Sequence, residues 1–247
     1  MLFRSLRFLA HHHQLLEVTR TGPLGVQDAV QQLEGFEAPA GAWEYPLLAS
    51  RVKDYDPSWL DQLFLSGELV WGRLCPPRRS EEDTPSRAPL TRAMPMALVR
   101  REDLSWLLPP DRVSLDAHCR GNARTTLDAL SQRGALFLSE LKTLTKLLPS
   151  HLEESIRELA ALGLITADAF AAVRSLTGAM GPNRRRLGAA TVAVGRWSRF
   201  PGIDLAPTAE PDPRQRDANL ESWCRLLLRR YGVVFRDLLA RESAAPP

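Results

Sequence analysis

The 247 residues are 44% hydrophobic and 25% charged, with a formal net charge of +3 and a sequence pI of about 9.0. That composition lies well above the disordered range and suits one large or two small globular domains. Its apolar runs are short and broken by charge, which argues against a membrane-spanning helix. Cys75, Cys119 and Cys224 stand far apart with no CxxC pair, which argues against a zinc centre and for a reducing, cytoplasmic setting.

Residues 1–20 read as a helix, with Leu2, Leu6, Leu9, His13 and Leu16 about one turn apart. His11, His12 and His13 read as a solvated helix face rather than a metal site. Thr21-Gly22-Pro23 breaks the chain, residues 24–33 form a second helix, and residues 35–41 are a small-residue turn. A short helix follows over 43–52. Asp56-Pro57-Ser58 is a helix start: a capping carboxylate, a first-turn proline, then Trp59, Leu60, Leu63 and Phe64. Residues 75–92 carry four prolines and read as a surface loop. A strand at 96–99 and a helix at 101–108 lead to Pro109-Pro110, a candidate boundary closing a helical subdomain over 1–110.

Residues 111–200 have the layout of a winged helix. Three helices are expected at 123–132, 136–147 and 149–162, the last with Leu152, Ile156, Leu159 and Leu162 as its buried stripe and Gly163 as its C-cap. A strand begins at Leu164, a wing spans 180–190, and a strand returns over 191–194. Residues 201–218 read as a linker and 219–247 as a C-terminal helix. The long apolar face of that helix, with Trp223, Leu226, Leu227 and Leu228, implies a missing partner and some self-association. No internal repeat is evident. The expected fold class is mainly α with small β wings: a helical subdomain plus a winged helix.

Basic charge gathers late. Arg184, Arg185, Arg186, Arg196 and Arg199 have no acid among them, and seven arginines between 214 and 241 face only Asp217, Glu221 and Asp237. Such a distribution permits a polyanionic partner.

Several boxes occur in a definite order. Gly35-Phe36-Glu37 and Trp43-Glu44 come first, then Leu65-Ser66-Gly67-Glu68 leading into Trp71-Gly72-Arg73-Leu74, then Arg101-Glu102-Asp103-Leu104. Gly134-Ala135-Leu136-Phe137, Gly163-Leu164-Ile165-Thr166, Gly195-Arg196-Trp197-Ser198 and Arg229-Arg230-Tyr231-Gly232 follow. Over nearly the whole chain this succession resembles the accessory region that follows the motor in bacterial large helicase-related (Lhr) helicases. The resemblance implies part of a superfamily-two machine that loads single-stranded DNA and unwinds duplexes, including RNA:DNA hybrids. The phosphate loop GxxxxGK[ST] and the Asp-Glu-x-His box are both missing from this sequence. ATP and Mg²⁺ would therefore enter only through helicase motor domains outside it. The expectation is a module detached from its engine, or a short reading frame from a split gene. The N-terminal third is also similar, more distantly, to helix-turn-helix DNA glycosylases. On that alignment Glu37 and Pro39 stand at the polar pair, which makes Glu37, and secondly Glu44, candidate catalytic carboxylates for stabilising an oxocarbenium ion.

Individual residues carry two readings each. Trp43 either stacks on a base or fills a core beside Leu47 and Val52. Trp71 and Trp197 read as core. Arg184, Arg185 and Arg186 either grip phosphates from a wing tip or sit on a solvated loop. Arg51 either brackets a phosphate with Tyr55 or pairs with Asp54 or Asp56. Arg196, Arg229 and Arg230 are further phosphate contacts or a solvated face. The third helix of the winged unit, with His151, Glu153, Glu154, Arg157 and Glu158, is too acidic to read a major groove.

Overall fold

The computed structural model describes residues 2–75, 92–108, 119–177, 195–202 and 212–242. Chain order in the first half is α1 (Leu2–His12), α2 (Gly22–Gln32), β1 (Ala38–Pro39), α3 (Pro57–Leu65), β2 (Leu69–Gly72), β3 (Pro95–Arg100) and α4 (Leu104–Leu107). The second half runs α5 (Gly121–Arg133), β4 (Leu136–Phe137), α6 (Leu138–Thr145), α7 (Pro149–Ala161), β5 (Ile165–Ala167), α8 (Phe170–Leu176) and β6 (Arg196–Arg199). Two helices close the described chain, α9 (Pro213–Tyr231) and α10 (Arg236–Leu239). The protein is mainly α with two small sheets.

Each half holds one three-stranded antiparallel sheet, and the two share a topology. The orders are β1-β3-β2 and β4-β6-β5, so in each the last strand lies between the other two. Helices precede and separate the strands in both halves. The first half is therefore itself a winged helix, where the sequence predicts a helical subdomain with one strand at 96–99, and the chain carries a topological repeat. Gly72 pairs with Ala97 and Leu69 with Arg100, so residues 73–94 connect β2 to β3 at the wing position. Residues 168–195 connect β5 to β6 in the second half, with Ala167 opposite Trp197. The expected wing at 180–190, the strand at 191–194 and Pro109-Pro110 lie outside the described residues. The observed third strand of the second sheet is Arg196–Arg199.

Local chemistry explains the element ends. The Asp56 side chain accepts from the Ser58 amide at 2.7 Å, with Pro57 opening α3. Residues Trp43–Leu48 form a wide-turned segment broken at Tyr45 (φ −132°, ψ 113°), with Pro46 inside it, rather than the regular helix expected. α7 buries Leu152, Ile156 and Leu159 as its spacing predicts.

The halves share one core. Strands β2 and β5 are buried along their whole length, and the Thr166 hydroxyl of β5 donates to the Trp71 carbonyl of β2 at 2.7 Å. Phe64 of α3 stacks on Phe170 of α8 with centroids 5.6 Å apart. Gly72 sits where any Cβ would overlap the Phe200 ring. α9 returns to the first half, burying Trp223, Leu226 and Leu227, with Trp223 edge-on to Trp106 of α4 at 6.0 Å. Three of the four residues of the apolar face expected to lack a partner thus find one inside the chain, while Leu228 stays exposed. That helix begins at Pro213, within the segment expected to be a linker, and stops at Gly232 (φ +73°).

Candidate nucleic-acid interface

A cavity of about 830 Å³ opens between the two winged helices. Its walls include Glu44, Tyr45, Arg92, Phe170, Arg174 and Thr177. Arg92, near the end of the first wing-position segment, and Thr177, at the end of α8 in the second, both line this opening. Tyr45 is 61% exposed there, its ring edge-on to Tyr55 at 5.9 Å.

Arg174 organises the inner wall. Its Nε and Nη2 donate to both oxygens of Glu44 at 2.7 and 2.8 Å, and Nη1 donates to Asp61 at 2.8 Å. The guanidinium lies 5.4 Å over the Phe170 ring. Burial alone would lower its pKa, but the two carboxylates hold it above the ordinary arginine value. The Tyr55 hydroxyl donates to Glu44 at 3.0 Å. Burial and the adjacent Glu44 charge raise the Tyr55 pKa, so it stays a neutral donor. This is a bidentate ion pair joining the halves across the cavity.

The expected site residues scatter around this frame. Glu44 is on the cavity wall, with both oxygens occupied by Arg174. Glu37 is elsewhere: its Oε1 accepts from the Leu74 and Cys75 amides at 2.7 and 3.1 Å, tying down the end of β2. Trp43 is fully buried and its indole N–H donates to the Met96 carbonyl at 2.9 Å. An indole enclosed on all sides has no face for a base, which overturns the stacking reading. Trp71 and Trp197 are both in the core. Arg51 turns inward, donating to the Leu47 carbonyl and the Ser50 hydroxyl at 2.9 and 3.1 Å; it pairs with neither Asp54 nor Asp56, and the Tyr55 hydroxyl is engaged by Glu44.

Arg230 is 1% exposed. It donates to Glu242 at 2.7 Å and to the Glu34 carbonyl, and lies over the Phe36 and Tyr231 rings. Tyr231 donates to the same Glu242. Arg230 is thus a packing residue and not a phosphate contact. Arg229 is exposed, while its carbonyl pairs with the His12 ring at 2.8 Å. Arg196 is exposed but tied through Nε and its amide to Asp168 at 2.8 and 2.6 Å. Gly195 (φ +86°) lets that turn form, since a Cβ there would press on Asp168. Arg184, Arg185 and Arg186 lie outside the described residues. Sequence reasoning missed Tyr45, Arg92 and Arg174. Arg174 stands alone in an apolar helix, and only the fold shows that its partners are far away in the chain.

Comparison with known proteins fits this architecture. The family model described as "Large helicase-related protein, winged-helix domain" matches residues 4–88, which take in the first winged helix up to β2 but not β3. A second model of the same description matches residues 213–247, covering α9 and α10. The chain is 29% identical over 263 aligned residues to "Lhr helicase/ probable uracil glycosylase" of Mycolicibacterium smegmatis, an alignment covering 96% of this chain and 16% of the relative. It is 24% identical over 247 residues to "Lhr helicase/uracil glycosylase" of Escherichia coli, covering 89% of this chain and 15% of the relative. The chain therefore spans about one sixth of either relative. Among the described residues no helix is long and apolar enough to cross a membrane. Tandem winged helices, two family-model matches and two relatives aligned over most of the chain together make this chain similar to the winged-helix accessory region of the large helicase-related proteins.

Proposed function

We propose that this chain is a nucleic-acid-binding accessory module of an Lhr-type helicase, holding the tracking strand and non-catalytic on its own. Its partners are single-stranded DNA or an RNA:DNA hybrid and the helicase motor domains, which supply ATP and Mg²⁺ chemistry. The observation that carries the reading is the opening between the tandem winged helices. Arg92 and Thr177, one from each wing-position segment, line it, and the second segment contains Arg184, Arg185 and Arg186. On its rim Tyr45 offers an exposed ring for a base and Arg92 a cation for phosphate. Stacking thus passes from Trp43 to Tyr45.

The test is a fluorescence-anisotropy titration of labelled single-stranded DNA at low and moderate salt. Binding that weakens with salt, and weakens further when Arg184, Arg185 and Arg186 are changed together to Ala, supports the reading. No binding at low salt overturns it and leaves a module that only assembles with a separate motor.

A second reading is a base-excising enzyme, favoured by a carboxylate, Glu44, on the wall of a cavity large enough for a small ligand. Against it, Arg174 and Tyr55 already occupy that carboxylate. Release of free uracil from DNA, abolished in Glu44→Gln and retained in Glu37→Gln, would establish it.

A further inference from the structure

A second cationic cluster lies away from the cavity, where the end of α1 meets the loop after the Trp43–Leu48 segment. The Arg20 carbonyl accepts from the Lys53 amide at 2.9 Å, and Thr21 bridges to Lys53 in parallel, which lays the Arg20 strand beside the Arg51–Lys53 turn. Arg20 Nη1 donates to Gln32 Oε1 at 2.9 Å, and Gln32 Nε2 donates to the His12 carbonyl at 2.9 Å. Gln32, itself buried, thus clamps the Arg20 guanidinium to the backbone next to His13. Arg20, Arg51 and His13 lie close enough for their charges to act on one another, and the exposed Lys53 adjoins them through its backbone.

Three nitrogens of this cluster are enclosed without a hydrogen-bond partner: Arg51 Nε, Arg20 Nε and His13 Nδ1. Arg51 is 8% exposed, and neither Arg51 nor Arg20 has an ion-pair partner among the described residues. Asp28 is the acid whose charge is felt at Arg20. Packing arginines together without counter-charge costs free energy, and proteins tolerate it where an anion completes the set. The electrostatics agree: burial, then the charges of Arg51, His12 and Arg20, hold the His13 pKa down to about 4. The Arg51 pKa is lowered by burial and by Arg20.

We propose that the notch formed by His13, Arg20, Arg51 and Lys53 binds a phosphoryl group, supplied by the backbone of a bound nucleic-acid strand. Guanidinium groups suit it because they match phosphate oxygens bidentately. Occupancy neutralises the arginine cluster and favours protonated His13, adding a fourth cation. The source of the phosphate rests on the function proposed above; the notch itself is argued from its own side chains.

The experiment follows the His13 imidazole by NMR across pH in the whole chain. It is run in chloride, in inorganic phosphate at matched ionic strength, and with a single-stranded oligonucleotide whose binding is read separately by anisotropy. Phosphate and oligonucleotide should each move the His13 midpoint up by more than about one pH unit, as expected of an anion within about 4–6 Å. Arg20→Gln, at a half-exposed position, should abolish that movement and lower the salt slope of oligonucleotide binding by about one phosphate contact. Arg51→Gln is the stronger variant where it folds. Identical His13 titration in chloride and phosphate overturns the notch. A response to phosphate alone, with the oligonucleotide bound and His13 unmoved, overturns the backbone source while the proposed function stands. Failure of the oligonucleotide to bind at all, with phosphate still moving His13, removes the proposed function and the backbone source but keeps a free-anion site.

Discussion

The Trp71 indole stands edge-on to the Trp197 indole, centroids 6.0 Å apart and planes at 87°, and both side chains are fully buried. One belongs to the first sheet and the other to the second, so this contact is the centre of the junction between the winged helices. Replacing Trp197 with Ala should cost about 3–5 kcal/mol. Because the core is shared, the wild-type chain should unfold in urea as one transition, with far-ultraviolet and tryptophan signals superimposed. Two resolved transitions would contradict a single core.

Gly72→Ala should destabilise by about 1–3 kcal/mol, because the new methyl meets the Phe200 ring beside a strand buried on both faces. Combining it with Phe200→Leu should recover part of the loss in a thermal melt. An additive double mutant would mean that Phe200 is not the obstacle.

Glu34 gives the stability a definite pH dependence. It is 1% exposed, and burial, only partly offset by the Arg100 amide at 2.8 Å, raises its pKa from 4.5 to about 7. Between those values the folded chain holds the proton more tightly than the unfolded chain, so this carboxyl's contribution falls as pH rises through about 7. His13, lowered to about 4, acts in the opposite sense below 6.5, so the comparison must be with a variant. Relative to wild type, Glu34→Gln should gain up to about 3 kcal/mol on going from pH 5 to pH 8. A pH-independent difference in urea midpoints would refute this.

Trp43 and Tyr45 should separate cleanly. Trp43→Phe loses the hydrogen bond to Met96 and should cost about 1 kcal/mol of stability with strand affinity unchanged. Tyr45→Ala should leave the melting temperature near wild type and weaken single-stranded DNA binding by about 1–3 kcal/mol. The reverse pattern would return base stacking to Trp43.

Arg174→Ala should be among the most damaging changes near the cavity, about 3 kcal/mol, because Glu44 and Asp61 would be left half-buried without their shared cation. Adding Glu44→Gln should lessen the cost. Equal losses in the single and double variants would show that the pair contributes only packing.

The sequence made the second winged helix readable because its signals are local: the stripe of α7, the cap at Gly163 and a strand directly after it. The first was hidden for physical reasons. The turn through Tyr45 and Pro46 breaks the 3.6-residue period, and β2 and β3 are parted by a proline-rich insertion, so their pairing leaves no hairpin signature. Trp43 kept two readings because a small-residue turn precedes it, while the Met96 carbonyl that holds it in the core lies 53 positions away. Arginine-rich boxes gave charge but not direction: Arg230 is core, and Arg20, with no motif around it, is in the cationic notch.

Arg92 and Thr177, one from each wing-position segment, stand on one rim, and the Thr166–Trp71 and Arg174–Glu44 bonds leave that rim little freedom to breathe. The distance between these two residues is therefore a property of the core, not of the loops. Under the proposed function, changing the charge of either segment should alter its hold on a strand while the spacing of Arg92 and Thr177 stays the same. A strand lying across both should be measured out by the protein in a fixed number of nucleotides.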